Sequence, residues 1–195
     1  MPPSARLPAR RCSWSRMAVV ESSGCSRTPD TIAGAPTIRR MDLDAAVTRA
    51  NELAAAARAA GDHPFGALLL VDGEVAAEAV NRVNSDGDIT AHAEMMLVRN
   101  LERDGRLALL ADGVVVASTE PCPMCVGAFF WAGARRVVFG LTAARLNEIV
   151  RRPGADDYGF SITAIELGRQ SMPPMQVDGP VQEDAAAAVH EGFWQ

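Results

Sequence analysis

Two short motifs that lie thirty residues apart restrict the folds open to this chain. His92-Ala93-Glu94 lies at the start of one predicted helix, and Pro121-Cys122-Pro123-Met124-Cys125 lies at the start of another. One imidazole and two thiolates are three suitable ligands for a tetrahedral zinc ion, so a fold that brings the two helix starts together would build a metal site. Each motif alone is ambiguous. His-x-Glu is common in exposed polar turns, and Cys-x-x-Cys also occurs in redox dithiols and structural zinc knuckles.

The rest of the sequence favours a catalytic over a structural zinc. Between residues 41 and 195 no cysteine lies outside the Cys-x-x-Cys motif, and His63 and His190 stand apart from other candidate ligands. Three protein ligands leave the fourth position of a tetrahedral zinc for water, as in catalytic sites. Zinc lowers the pKa of such a water toward about 7. Glu94 follows the ligand His92 by two residues, so it can reach the water without binding the metal, and we predict that it carries protons.

Hydrophobic periodicity and turn residues predict an alternation of helices and strands, which is an α/β pattern with helices on both faces of a central mixed sheet. The predicted elements, in chain order, are a helix from 41 to 61, a β-hairpin from 67 to 80 with Asp72-Gly73 at its turn, a loop from 81 to 88, a helix from 91 to 103, a strand from 114 to 117, a helix from 123 to 132, a strand from 137 to 139, a helix from 142 to 150, a turn from 154 to 159, a weak strand from 162 to 167 and a helix from 184 to 191.

The first forty residues differ sharply from the remainder. They hold seven Arg against two acidic residues and include five prolines, which do not suit an amphipathic helix. We interpret residues 1–40 as a disordered Arg/Ser/Pro-rich arm and residues 41–195 as the folded domain. A further hypothesis is that translation starts at Met41 or Met17 and that the arm is an artefact of the assigned gene start.

Charge and composition exclude several function classes. All 19 basic residues are Arg, so the chain has no lysine for a Schiff base or a phosphate-binding loop. Residues 41–195 hold 12 Arg against 22 acidic residues, which disfavours nucleic acid as a partner. No apolar run approaches the roughly 20 residues of a membrane-spanning helix. Four cysteines in a chain of this length suit a reducing compartment, so we predict a cytoplasmic location.

Together, the two motifs resemble the H-x-E…P-C-x-x-C signature of the zinc-dependent cytidine deaminase-like superfamily, and the resemblance covers about residues 41–140. It implies a three-layer α/β/α sandwich with a central five-stranded mixed sheet. It also implies Zn²⁺ held by His92, Cys122 and Cys125, with Glu94 as the catalytic proton shuttle, and hydrolytic deamination of an amino-substituted nitrogen heterocycle. The same resemblance implies a homodimer.

Further residues resemble the branch of this superfamily that contains bacterial guanine deaminases, cytosine deaminases and tRNA adenosine deaminases. Phe65 after Pro64, and the Phe130-Trp131-Ala132 step, are similar to guanine deaminases, and the chain ends in aromatic residues rather than a basic tail. The leading expectation is therefore a guanine deaminase-like enzyme of nucleobase metabolism and purine salvage that acts on a free nucleobase or nucleoside. The alternatives are a tRNA-specific adenosine deaminase, which makes inosine, and a catalytically inactive, zinc-stabilised interaction module.

The resemblance also assigns substrate contacts. Asn81 and the backbone of Ala93 would orient the ring, while Phe65, Trp131 and Trp194 would stack on it.

Each of these residues has a plainer interpretation. Phe65 suits a core position, Asn81 suits a turn, and Trp131 suits the core or a dimer contact. Phe193 and Trp194 could form a small hydrophobic cluster of their own. Asp156 and Asp157 are similar to an acidic pair that assists proton transfer in guanine deaminases, but their spacing from Cys125 is several residues longer here.

Overall fold

A five-stranded mixed sheet forms the centre of the fold in the computed structural model, which describes residues 42–151 and 159–194. The strands are β1 (Gly66–Val71), β2 (Glu74–Val80), β3 (Val114–Thr119), β4 (Arg136–Leu141) and β5 (Gln176–Asp178). Their order in the sheet is β2-β1-β3-β4-β5; β1 pairs antiparallel with β2 and with β3, whereas β3, β4 and β5 run parallel to one another. The predicted arm, residues 1–40, lies outside the described residues.

Helices cover both faces of this sheet. The helices are α1 (Leu43–Ala59), α2 (Val83–Asp86), α3 (Ala93–Arg103), α4 (Leu109–Asp112), α5 (Pro123–Trp131), α6 (Ala143–Val150), α7 (Ala164–Gln170) and α8 (Glu183–Ala188). On one face, α1 packs on Leu68, Val116 and Val138, and α8 packs beside it against β4. On the other face, α3, α5 and α7 pack over a larger apolar cluster that includes Leu69 and Phe139. The arrangement confirms the predicted three-layer α/β/α sandwich.

Local signals explain why the first elements form where they were predicted. Asp42 caps α1, because its side chain accepts a hydrogen bond from the Ala45 N–H at 2.7 Å. Asp72 and Gly73 both have positive φ angles, 54° and 78°, as expected for a tight hairpin turn that matches the twist of its strands. At Gly66 a Cβ atom would lie 2.4 Å from the Ala50 carbonyl oxygen, so glycine lets α1 pack directly on β1.

Three predictions in the connecting and C-terminal regions were wrong or incomplete. The weak strand predicted from 162 to 167 is largely α7, whose N-cap Thr163 accepts a hydrogen bond from the Glu166 N–H. The fifth strand is instead the short segment Gln176–Asp178, which had not been predicted. The predicted loop from 81 to 88 contains the single-turn helix α2. Most of the predicted turn from 154 to 159 lies outside the described residues.

Within residues 42–151 and 159–194, no helix combines the length and the apolar character that a bilayer crossing requires.

Candidate active site

The two motifs meet because α3 and α5 start next to each other on the same face of the sheet. His92 is the N-cap residue of α3 and Cys122 is the N-cap residue of α5, and both have extended backbone angles. The Nδ1 atom of His92 lies 3.8 Å from the Sγ atom of Cys122 and 3.6 Å from that of Cys125. The two sulfur atoms are 3.6 Å apart. The fold therefore brings together side chains that are thirty residues apart in the sequence.

These three ligand atoms fit a zinc ion. A tetrahedral zinc with Zn–S bonds of about 2.3 Å and a Zn–N bond of about 2.0 Å holds its ligand atoms roughly 3.5 to 3.8 Å apart. The three measured separations match that range. Two thiolates and an imidazole are also the soft and borderline donors that zinc favours over calcium or magnesium. His92, Cys122 and Cys125 would therefore hold the ion.

The ligand side chains are electrostatically coupled. The pKa of Cys122 is lowered to about 4, chiefly because of its hydrogen bond with the Cys125 sulfur and also because His92 lies beside it. The pKa of His92 is raised by the hydrogen bond with Cys122. The Cys125 pKa is raised because this thiol shares its proton with Cys122 in a buried position. Metal binding favours the deprotonated form of all three groups.

Glu94 is buried beside the ligands, on the first turn of α3. It is 6% exposed, and its Oε2 atom lies 3.7 Å from the Cys125 sulfur. Burial raises the pKa of the Glu94 carboxyl above its usual range, so the group can hold a proton closer to neutral pH than an exposed glutamate can. A buried carboxyl at this position has the properties of a general acid and base.

A cavity of about 400 Å³ opens above this group. Phe65 and Thr119 lie on the metal side of the cavity, next to the ligands. Its far wall comes from α6 and from the segment that leads into α7, and includes Leu146, Asn147 and Phe160. We call this second group of residues, 143–147 and 159–164, the far wall. The described residues that line the cavity include no arginine.

Asn81 lies next to Phe65, whose carbonyl oxygen accepts a hydrogen bond from the Asn81 N–H at 3.0 Å, but Asn81 is not among the described residues that line the cavity. Its side chain is 1% exposed, and Oδ1 accepts a hydrogen bond from the Val83 N–H at 3.0 Å, which is a turn interaction. Its Nδ2 atom is buried and has no hydrogen-bond partner among the described residues. Ala93 is fully buried as the first residue of α3. The substrate contacts assigned to Asn81, Ala93 and Phe65 stay predictions.

The stacking roles expected for two tryptophans do not fit the structure. Trp131 is 78% exposed at the end of α5, where its ring packs edge-on against Phe130, so it does not reach the cavity of this chain. Trp194 packs behind the cavity: its Nε1 atom donates to the Nδ1 atom of His190 at 3.3 Å, and its ring lies 6.1 Å from that of Phe65. The plainer interpretation of Trp194, a small aromatic cluster, is the one seen.

Several residues of the cavity were not predicted from the sequence. Phe160, Asn147 and Leu146 belong to no recognisable motif, and only the tertiary fold brings them to the site. Glu120 is the first residue of the Glu120–Cys125 run that resembles this branch of the superfamily, but no role was predicted for it, although a charged residue directly after the buried strand β3 needs a partner. Asp156 and Asp157, the acidic pair compared above with guanine deaminases, lie outside the described residues.

Comparison with known families identifies the chemistry. The model of the cytidine and deoxycytidylate deaminase zinc-binding region matches residues 41–141, which contain the three ligands and Glu94. The chain is a member of this deaminase family. It is therefore a zinc-dependent hydrolytic deaminase that acts on carbon–nitrogen bonds, and the enzyme class and cofactor predicted from the motifs are confirmed.

Three curated relatives of the chain are deaminases by name and differ in substrate. A probable cytosine deaminase from Schizosaccharomyces pombe is 40% identical over 139 residues, covering 71% of this chain and 83% of that protein. The guanine deaminase of Bacillus subtilis is 41% identical over 76 residues, covering 39% of this chain and 49% of that protein. The tRNA-specific adenosine deaminase of Haemophilus influenzae is 34% identical over 127 residues, covering 64% and 73%.

Solved structures show the same fold. NE0047 in complex with 2,6-diaminopurine superimposes with a TM-score of 0.65 at 27% identity, covering 78% of this chain and 81% of that one. A variant of NE0047 in complex with 8-azaguanine gives a TM-score of 0.66 at 26% identity, covering 79% and 85%. These similarities confirm the fold class of the deaminase.

Proposed function

We propose that this deaminase releases ammonia from a free nucleobase or nucleoside, with guanine as the leading substrate. The observation that carries the proposal is the cavity above Glu94 and the zinc ligands: it is walled by Phe65, Phe160 and aliphatic side chains, and its described lining holds no arginine. Such a lining suits a flat, uncharged heterocycle. A site that bound the phosphates of a nucleic acid would need cations.

The size of the cavity and the relatives both support a base as the substrate. About 400 Å³ falls within the range of roughly 300–1,000 Å³ typical of small-molecule sites. The two solved structures of NE0047 hold 8-azaguanine and 2,6-diaminopurine, both of which are purine-like bases. The Bacillus subtilis relative is a guanine deaminase.

Each side chain then has a defined task. When bound, zinc lowers the pKa of a coordinated water toward about 7 and so supplies hydroxide at neutral pH. Glu94 takes up one proton from the attacking water and delivers it to a ring nitrogen. It then takes the remaining proton from the hydroxyl group formed on the carbon and passes it to the amine, which departs as ammonia while the carbonyl forms. One water is consumed, the C–NH₂ bond is broken, and a carbonyl and ammonia are formed. The Asn81 Nδ2 atom, which lacks a partner among the described residues, donates a hydrogen bond to the base.

An ammonia-release screen tests this proposal. The substrates are guanine, cytosine, adenine, isocytosine, their nucleosides and small triazines. We expect a free base or nucleoside, guanine first, to give the highest kcat/KM. If cytosine or a triazine is turned over far faster than guanine, the leading substrate is wrong although the free-base class stands.

The main competing function is editing of adenosine in tRNA, since tRNA-specific adenosine deaminases are among the relatives. The acidic balance of residues 41–195 and the absence of arginine from the described cavity lining weigh against it. Activity on tRNA that exceeds activity on every free base, and that falls steeply with salt, would overturn the proposed substrate class. The third alternative, an inactive zinc-stabilised module, would not need the buried carboxyl of Glu94.

We also propose a homodimer in a reducing compartment such as the cytoplasm, where the enzyme would serve purine salvage. Trp131 is 78% exposed and Met172 is 87% exposed. Large apolar side chains as exposed as these are unusual on a surface that faces only water. The zinc ligands Cys122 and Cys125 must stay reduced to bind the metal. Light scattering of the parent and of Trp131→Glu tests the dimer: we expect a dimeric parent and a monomeric variant, and a monomeric parent would exclude the dimer.

A further inference from the structure

The carboxylate of Glu120 connects the metal side of the cavity to its far wall. Glu120 follows β3 and precedes the ligand Cys122 by two residues. Its Oε2 atom accepts a hydrogen bond from the Ala143 N–H at 2.9 Å, and its Oε1 atom accepts one from the Ala164 N–H at 2.8 Å. Ala143 is the first residue of α6 and Ala164 is the first residue of α7. One side chain thus holds two helix starts at once.

The backbone of Glu120 adds a third connection. Its N–H donates to the Leu141 carbonyl oxygen at 2.7 Å, so the ends of β3 and β4 are joined at the same residue. Hydrogen bonds to a carboxylate are stronger than neutral ones, and the first N–H groups of a helix have no partner within the helix. Glu120 therefore satisfies two groups that would otherwise need another acceptor.

The two helix starts matter because they carry the far wall. Ala143 and Ala164 line the cavity themselves, as does Glu120. Leu146 and Asn147 lie one turn further along α6, and Ile162 lies just before α7. A shift of either helix start relative to Cys122 would change the distance between the metal ligands and the surface that faces them. The Glu120 side chain is therefore one contact that sets the distance between the metal ligands and the far wall.

We propose that Glu120 is a positioning residue that fixes the width of the cavity and so determines how tightly, and which, base is held. The inference rests on the proposed function in one respect, namely that the substrate occupies this cavity. Glu120 does not act on the reacting atoms in this proposal. It acts through the placement of α6 and α7.

The first test is Glu120→Gln. The amide has nearly the same shape but offers one oxygen, so its NH₂ group must face one of the two N–H donors. Losing a charge-assisted hydrogen bond and leaving a donor unpaired predicts a rise of about tenfold or more in KM for guanine. We expect kcat within about threefold of the parent and full zinc content, because Glu94 and the ligands are untouched. The ratio of kcat/KM for guanine to that for cytosine should change as well.

Glu183→Gln is the matched control. Glu183 also holds the start of α6, since its Oε1 atom accepts from the Thr142 hydroxyl at 2.6 Å and from the Thr142 N–H at 3.1 Å, but it does not line the cavity. Both variants should lower Tm. Only Glu120→Gln should raise KM and change the base preference. If the two variants change KM equally, or if Glu120→Gln leaves KM and base preference unchanged, the proposal is overturned.

Ala143→Pro removes one of the two bonds without altering Glu120. Proline is well tolerated at the first position of a helix, and the preceding Thr142 already has the extended angles that a residue before proline requires, φ −70° and ψ 149°. We expect a smaller rise in KM than in Glu120→Gln. In the double variant the two effects should be less than multiplicative, because the same bond is removed twice. Fully multiplicative effects would contradict the proposal.

Hydrogen exchange separates failure of this inference from failure of the proposed function. In Glu120→Gln, amide exchange should accelerate at the starts of both α6 and α7, whereas in Glu183→Gln only α6 should respond. Unchanged exchange at both helix starts in Glu120→Gln overturns the inference, whatever the substrate. A parent enzyme that deaminates none of the bases overturns the proposed function, and the exchange measurement still decides the role of Glu120.

Discussion

The metal side of the cavity and its far wall are built in different ways. On the metal side, His92, Glu94, Cys122 and Cys125 lie within the first turn of two helices that pack on the central sheet. The far wall comes from α6 and from residues 159–164, whose helix starts are held by the side chains of Glu120 and Glu183 in addition to packing against α5, α8 and β5. The chemistry is thus encoded in short motifs on rigid elements, and the shape of the substrate site depends on contacts between distant segments.

If this contrast is correct, changes to the zinc ligands and to Glu94 abolish or strongly slow the reaction, and changes at other residues adjust it. The most severe change is loss of a ligand. Cys125→Ser should lose zinc, and turnover should become undetectable, because the buried hydroxyl is a poor zinc ligand compared with a thiolate. Elemental analysis and ammonia release measure both effects. Retention of one zinc per chain with normal turnover would mean that Cys125 is not a ligand.

Glu94→Gln should have the next largest effect. The amide keeps the shape but cannot accept or deliver a proton, so we expect kcat to fall by about 10² to 10⁴ with unchanged zinc content. Glu102→Gln is the control, because Glu102 is an exposed residue on the same helix. Similar rates for Glu94→Gln and the parent would show that the proton is carried by another group.

Phe65→Leu changes a cavity residue on the metal side that is not a zinc ligand, and we expect it to affect the reaction less than the two changes above. The ring lines the cavity beside the metal ligands, and losing an aromatic contact with a base should raise KM by about 3-fold to 10-fold with little change in kcat. Phe193→Leu is the matched control, since Phe193 belongs to the same aromatic cluster but not to the cavity lining. An equal rise in KM in both variants would assign Phe65 to the core instead.

The smallest effect on the reaction is expected from His190, which acts on stability. Burial lowers the pKa of His190 to about 4, whereas an unfolded histidine titrates near 6.5. As the pH falls from 6.5 to 4, the unfolded chain takes up a proton that the folded chain does not, so stability decreases by up to about 3 kcal/mol.

Urea unfolding of the parent and of His190→Gln between pH 7 and pH 4.5 measures this decrease. The stability difference between the two proteins should shrink toward the acidic end. His63, whose pKa is also lowered by burial, contributes in the same direction, so His63→Gln serves as the comparison. A difference that stays constant with pH would show that His190 has the same pKa in the folded and unfolded protein.

The sequence predicts most of the metal side because its signals are local. The His-x-Glu and Cys-x-x-Cys spacings fix the ligand types, and the start of each helix places them. The hairpin was predicted for the same reason, since Asp72-Gly73 favours the turn without help from the rest of the chain. That His92 and Cys122 meet follows from packing of α3 on α5, and the family resemblance supplied it before the structure did.

The far wall could be predicted only in part. Ile162 and the apolar residues after it were interpreted as a strand, although Thr163 and Glu166 form a Thr-x-x-Glu pattern that is typical of a helix start. β5 has three residues, of which only Val177 is buried, so hydrophobic periodicity cannot reveal it. The position of Trp194 behind Phe65 depends on how the last helix packs, and no local pattern encodes that.

The start of the connection between α3 and β3, residues 104–106, is exposed and gives the enzyme a place that can change without disturbing the core. α3 begins at the active site and ends at Arg103, and β3 starts at Val114 and returns to the site, so residues 104–113 lie at the opposite end of the sheet. Gly105, within this connection, has open space around its Cα atom. A reporter peptide or a fused domain inserted there would leave the catalytic end undisturbed, and natural variation in length can accumulate there without cost to the chemistry.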